Sequence, residues 1–151
     1  NIDLKILSMM AQDARINSVE VANKLNVTPK TVINRIKRLE KEEIILGYKP
    51  CLNLRKAEYY ANLLLVKYHN VTSGMEDSFI KYLKAHPNVI SVVKTLGEWD
   101  VEIKVEVEDY NEVRKIEREI RETYGTMMKT IQNMPTYKTF KNNYFPSFLL
   151  P

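Results

Sequence analysis

From Trp99 to Val107 the chain alternates without a break: Trp99, Val101, Ile103, Val105 and Val107 are apolar, and Asp100, Glu102, Lys104 and Glu106 are charged. A period of two matches a strand, whose successive side chains point to opposite faces. The segment therefore predicts a strand with one apolar and one charged face, and a sheet built on it must be covered on one side. The flanking sequence supplies neighbours. Tyr60 to Tyr68 is rich in Leu and Val, Val89 to Leu96 is a second β-favouring run, and Met127 to Gln132 gives a fourth that can extend past Pro135. Gly97 and Glu98 predict a tight connection between the second and third strands. A helix carrying Phe79, Ile80 and Leu83 follows Gly74 and closes before Pro87. Another, capped by Asp109 and ended by Gly125, lines one side with Tyr110, Val113, Ile116, Ile120 and Tyr124.

The order β-α-β-β-α-β predicts a ferredoxin-like module with both helices over one face of an antiparallel sheet. Leu63 to Val66 is apolar on both sides. A half-apolar open face predicts dimerisation by sheet packing.

The first fifty residues carry a different period. Ile2, Ile6, Leu7 and Met10 form one helical stripe over roughly Asp3 to Gln12. Ser18 is a good N-cap for a second helix, which buries Val21, Ala22 and Leu25 and stops at Asn26, a residue that tolerates left-handed backbone. Thr28 and Pro29 open a third helix, which buries Val32, Ile36 and Leu39. Two helices joined by a tight turn predict a helix-turn-helix. Between Thr28 and Lys41 stand five Lys or Arg residues and one acid, Glu40. The helix over 110–124 is equally charged, but its signs alternate, as on an ordinary solvated face. A one-signed face interleaved with Thr and Asn suits phosphates and base edges. The run Ile44–Tyr48, broken by Gly47 and ended at Pro50, predicts a wing or linker strand.

Charge and composition narrow the function classes. The chain of 151 residues has a formal net charge of +4, and residues 1–50 hold nine basic and six acidic groups, so most of the excess lies in that third. With 44% hydrophobic and 28% charged residues, a soluble protein with a buried core is expected. A single cysteine, Cys51, argues against a disulfide scaffold or a cysteine-built zinc site. The four glycines stand apart, so no phosphate-cradling loop is written in the sequence. His69 and His86 lie far from each other and from any ligand cluster, and structural roles are expected for both. No catalytic residue, metal site or cofactor is predicted, and no apolar run of about 20 residues predicts a membrane span. The chain opens on Asn1, almost inside its first helix, and is expected to have lost its natural start.

These features together resemble the leucine-responsive regulatory protein (Lrp/AsnC) family. "NIDLKIL" resembles its first helix, and "NSVEVANKLNVTPKTVINRIKRLEKEEIILGY" its helix-turn-helix through to the linker strand. "HPNVISVVKTLGEWDVEIKVEVED" resembles the centre of its effector module, with a Gly-x-x-Asp signature at Gly97 and Asp100. The expected fold class is α+β. A winged helix-turn-helix domain over 1–46 and a linker strand over 47–58 precede a ferredoxin-like module over 59–151, which ends in an aromatic tail. That tail, with Tyr137, Phe140, Tyr144, Phe145, Phe148, Leu149 and Leu150, is expected to dock on its own domain or on a partner.

The resemblance implies a prokaryotic, cytoplasmic transcriptional regulator, not an enzyme. It implies a homodimer, or a tetramer or octamer built from dimers, on pseudo-palindromic double-stranded promoter DNA. Lys30, Thr31, Asn34 and Arg35 are candidates for base contact; Lys37, Arg38 and Lys41 for phosphate; and Thr28 belongs to the same segment. Leu96, Gly97, Glu98, Trp99 and Asp100 are candidates for binding an amino-acid effector, and the two acids Glu98 and Asp100 suit a cationic one. A structural hairpin turn at the same residues remains an equal alternative. Two competing functions stay open: a family-like decarboxylase of haem synthesis, which would need catalytic histidines, and a ligand-sensing oligomer that does not bind DNA.

Overall fold

A computed structural model describes residues 1–149. The chain divides into two compact units, one made of Asn1–Cys51 with the tail from Phe140, the other of Leu52–Thr139. Tail residue Leu150 lies outside the described residues.

The first unit is a three-helix domain: α1 (Ile2–Gln12), α2 (Ser18–Leu25) and α3 (Pro29–Lys41). Each helix is capped by its own sequence. The Asn1 side chain accepts from the Asp3 N–H at 3.1 Å, and Asn17 accepts from Val19 N–H at 2.9 Å. The cap of α2 is thus Asn17, one residue before the expected Ser18, and Asn is an equally good cap. Asn26 ends α2 in the left-handed region, with φ 53° and ψ 49°. Thr28 caps α3 and Pro29 occupies its first turn. Ile6, Val21, Ala22 and Val32 are fully buried at the centre, and Ile36 and Leu25 pack around them.

The wing or linker strand expected after α3 is absent among the described residues. Glu43 turns to φ 55°, and the N–H groups of Ile44 and Ile45 both donate back to the Leu39 carbonyl, at 2.9 and 3.1 Å. Those two amides cap the helix and are lost to a ladder, so the C-cap overrides the β propensity at the start of this run. Beyond it the chain has no regular structure until a 3₁₀ turn at Leu54–Ala57.

The second unit holds β1 (Tyr60–Tyr68), α4 (Ser73–Ala85), β2 (Val89–Lys94), β3 (Val101–Val107), α5 (Tyr110–Tyr124) and β4 (Met128–Pro135). The sheet order is β2-β3-β1-β4 and every pairing is antiparallel, the ferredoxin-like arrangement. Leu64 and Val66 of β1, alternate residues of β3, Phe79 and Leu83 of α4, and Val113, Ile116 and Ile120 of α5 form one buried core. One local expectation fails. Strands β2 and β3 are joined by residues 95–100 rather than by a two-residue turn. Thr95 pins that loop: its N–H donates to the Asp100 carbonyl at 2.9 Å and its hydroxyl to the Trp99 carbonyl at 2.7 Å. Gly125 follows the last residue of α5, as expected. It stays right-handed at φ −58° and leads into a 3₁₀ turn that carries Met127 into the core.

The opposite sheet face carries no helix of this unit. Along β1 it presents Ala61, Leu63 and Leu65, which pair with Glu106, Lys104 and Glu102 of β3; Leu63 and Leu65 pair with Met134 and Gln132 of β4. An apolar column flanked by charges is thus what the sequence pattern anticipates.

Candidate nucleic-acid interface and ligand loop

Helix α3 sorts its residues by angle. Val32 and Leu39 are buried, while Lys30, Asn34, Lys37 and Lys41 share the opposite, exposed stripe at spacings of three and four. Ile33 lies beside them, and 41% of its surface is exposed. Thr31 is half-buried; its N–H donates to the Thr28 hydroxyl at 3.2 Å, and the two hydroxyls are 2.9 Å apart. Thr28 and Thr31 therefore build the start of the helix, the feature that aims the rest.

Arg35, a candidate for base contact, is engaged within its own domain. Its Nη1 donates to Asp3 Oδ1 at 2.9 Å, and Arg38 Nη2 donates to the other oxygen of Asp3 at 2.6 Å. Asp3 is only 16% exposed, and Arg35 32%. The hydrogen bond from Arg35 is the main reason that the Asp3 carboxyl is held below the usual carboxylate range, and Arg38 adds to it. One carboxylate of α1 thus clamps two arginines of α3. No local pattern in the sequence signals it, because Asp3 and Arg35 are 32 positions apart. Arg38 remains half-exposed and is shared with Glu42, at 3.7 Å.

In the loop over 95–100, Leu96, Gly97 and Glu98 are exposed, and Trp99 and Asp100 are half-buried. Gly97 has φ 151°, strained for any side chain, with nothing within 4 Å of where a Cβ would stand. The Asp100 carboxylate accepts the Tyr68 N–H at 2.7 Å and the Lys67 ammonium at 3.2 Å. It thus meets an amino group of its own chain, and it ties the loop to the end of β1. Lys67 also donates to the Gly97 carbonyl, at 3.3 Å.

A cleft of about 420 Å³ lies elsewhere in this unit, lined by Thr72, Gly74, Met75, Ser78, Thr123, Tyr124 and Thr126, with no residue from the loop. His86 closes α4, and its Nδ1 accepts the Asn88 N–H at 3.2 Å. The His69 N–H donates to Met127 at 2.7 Å. Among the described residues no three His, Cys, Asp or Glu side chains could together hold a metal ion, and no helix is long and apolar enough to cross a membrane.

The sequence model for winged helix-turn-helix DNA-binding domains matches residues 1–45, and that for the Lrp/AsnC ligand binding domain matches residues 63–143. The chain belongs to the Lrp/AsnC family. It is similar to the leucine-responsive regulatory protein of Haemophilus influenzae, with 29% identity over 118 residues, covering 76% of this chain and 70% of the relative. Its fold is that of two solved family structures. A transcriptional regulator from Neisseria meningitidis, solved as an L-Met complex, superposes with a TM-score of 0.88 at 20% identity, over 100% of this chain and 98% of the other. AsnC of E. coli gives 0.80 at 17% identity, over 97% of both chains. As an Lrp/AsnC member the chain is a DNA-binding transcriptional regulator with a ligand-binding module, in a family of regulators rather than enzymes.

Proposed function

We propose that this Lrp/AsnC regulator acts in the cytoplasm as a dimer, or as a ring of dimers, that places two α3 helices in successive major grooves of a pseudo-palindromic promoter. In such an arrangement the half-sites lie roughly 34–36 Å apart or at a multiple of that. The observation that carries the reading is the exposed stripe of Lys30, Asn34, Lys37 and Lys41, cationic and free of acids. Asn34 and Lys30 stand in the first half of the helix and suit base edges; Lys37, Arg38 and Lys41 suit phosphates. Arg35 acts through Asp3 to fix the angle of α3 against α1, and Thr28 and Thr31 fix its start.

A second copy would cover the open sheet face over Leu63 and Met134. Lys104 and the largely buried Glu106, 3.3 Å apart, would lie at its charged margin. The effector would be an amino acid held near Leu96, Gly97, Glu98 and Trp99. The solved relative with L-Met supports this class of ligand. Asp100 already pairs with Lys67, so Glu98 is the exposed acid left to favour a cationic side chain.

Selection of bound duplexes from a random pool, with and without each amino acid, tests the reading. A two-fold-symmetric site whose occupancy shifts with one amino acid is the expected result. An unselective pool would reject it.

A further inference from the structure

On the exposed side of α3 one residue does not fit a purely electrostatic surface. Ile33 is the fifth residue of the helix and 41% exposed, whereas Val32 and Ile36 are packed in the core of the unit. A β-branched side chain is a poor choice for an exposed helix position, where Lys, Glu or Ala would be favoured. Ile33 is also bracketed by cations at helical spacing, Lys30 three residues before it and Lys37 four after. With Lys37 on phosphate and Lys30 at a base edge, as read above, the groove would lie against Ile33 between them. The floor of the major groove offers one purely apolar group, the C5-methyl of thymine.

Building on the DNA-binding reading above, we propose that Ile33 is a specificity-determining residue that packs on a thymine C5-methyl in each half-site. Lys37 and Lys41 supply affinity independent of sequence. Asn34, next to Ile33, can pair with the N6 and N7 edge of an adenine. The two neighbours together would read an A·T-containing step, one by hydrogen bonds and one by shape. A Lys or Glu at position 33 would be as well solvated and would lose this contact.

The test uses the full chain and a duplex chosen by selection from a random pool. Each thymine is replaced in turn by deoxyuridine, symmetrically in both half-sites, which removes only the methyl group. At one position the wild type should bind about three- to fivefold more weakly per half-site, the loss expected for one unburied methyl. In Ile33→Ala the same replacement should have no effect, while Ile33→Val keeps part of it. Equal deoxyuridine sensitivity in wild type and Ile33→Ala, or no sensitive thymine at all, overturns the proposal and leaves the regulator reading standing. Failure to select any preferred sequence overturns both.

Discussion

Replacing Asp3 by Asn should loosen α1 from α3. The carboxylate is largely buried and accepts 2.9 and 2.6 Å bonds from Arg35 and Arg38. A hydrogen bond between charged groups in a half-buried setting contributes about 1.5–3 kcal/mol. The Arg38 bond, on a half-exposed guanidinium, is screened and adds a few tenths at most, about 0.2–0.5 kcal/mol. Asn retains one acceptor, so the net loss should be about 1–2 kcal/mol. Because the chain has two units, a global melt would blur the effect, and amide hydrogen exchange across α1 is the suitable assay. A double-mutant cycle with Arg35→Gln should give a coupling of about 1 kcal/mol or more. Coupling within about 0.3 kcal/mol of zero would refute the clamp, since additive effects mark sites that do not interact. The sign of the pH dependence follows. The Asp3 carboxyl is held below its ordinary value, so its contribution is complete above about pH 4 and is lost as the pH falls through the lowered value.

Other outcomes follow from the same contacts. Thr28→Ala removes the cap of α3 and should cost about 1 kcal/mol, read as faster exchange of the Thr31 amide. Lys37→Ala should lower the slope of log affinity against log salt by about one unit, and an unchanged slope would remove it from the contact set. Asn62 is fully buried with neither end of its amide paired. Asn62→Leu, of nearly equal volume, should therefore stabilise the second unit by about 1 kcal/mol in denaturant titration. Met134→Glu, at an exposed position of the open face, should shift sedimentation toward monomer if a second copy covers the sheet; an unchanged distribution would argue for another interface.

The strands and helices were legible wherever a period and a cap agreed. Strand β3 announced itself by alternation, and α3 by Thr28, Pro29 and its buried stripe. What was not legible depended on distant or competing partners. The run after α3 has strand-like residues, but the Leu39 carbonyl captures its first two amides. The sequence places the tail with the second domain, docked there or on a partner; from Phe140 it groups with the first unit, and Phe140, Tyr144 and Phe148 are exposed in the single chain. In the candidate site, the basic stripe could be read from spacing alone. The roles of Arg35 and Asp100 could not, because their partners, Asp3 and Lys67, are brought up by the fold. Ile33 carries no signal in the sequence, because an apolar residue in a helix reads as core until its angle is known.

The central claim is that the stripe of Lys30, Asn34, Lys37 and Lys41 meets DNA while Arg35 serves α1. The direct measurement is the affinity of Asp3→Asn and of Lys30→Ala/Asn34→Ala for a selected duplex, each compared with a scrambled one. The account predicts that the pair of substitutions on the stripe lowers the preference for the selected duplex by about tenfold or more, while Asp3→Asn, which frees Arg35, gains none. Stronger selective binding by Asp3→Asn, with selectivity intact in Lys30→Ala/Asn34→Ala, would contradict it.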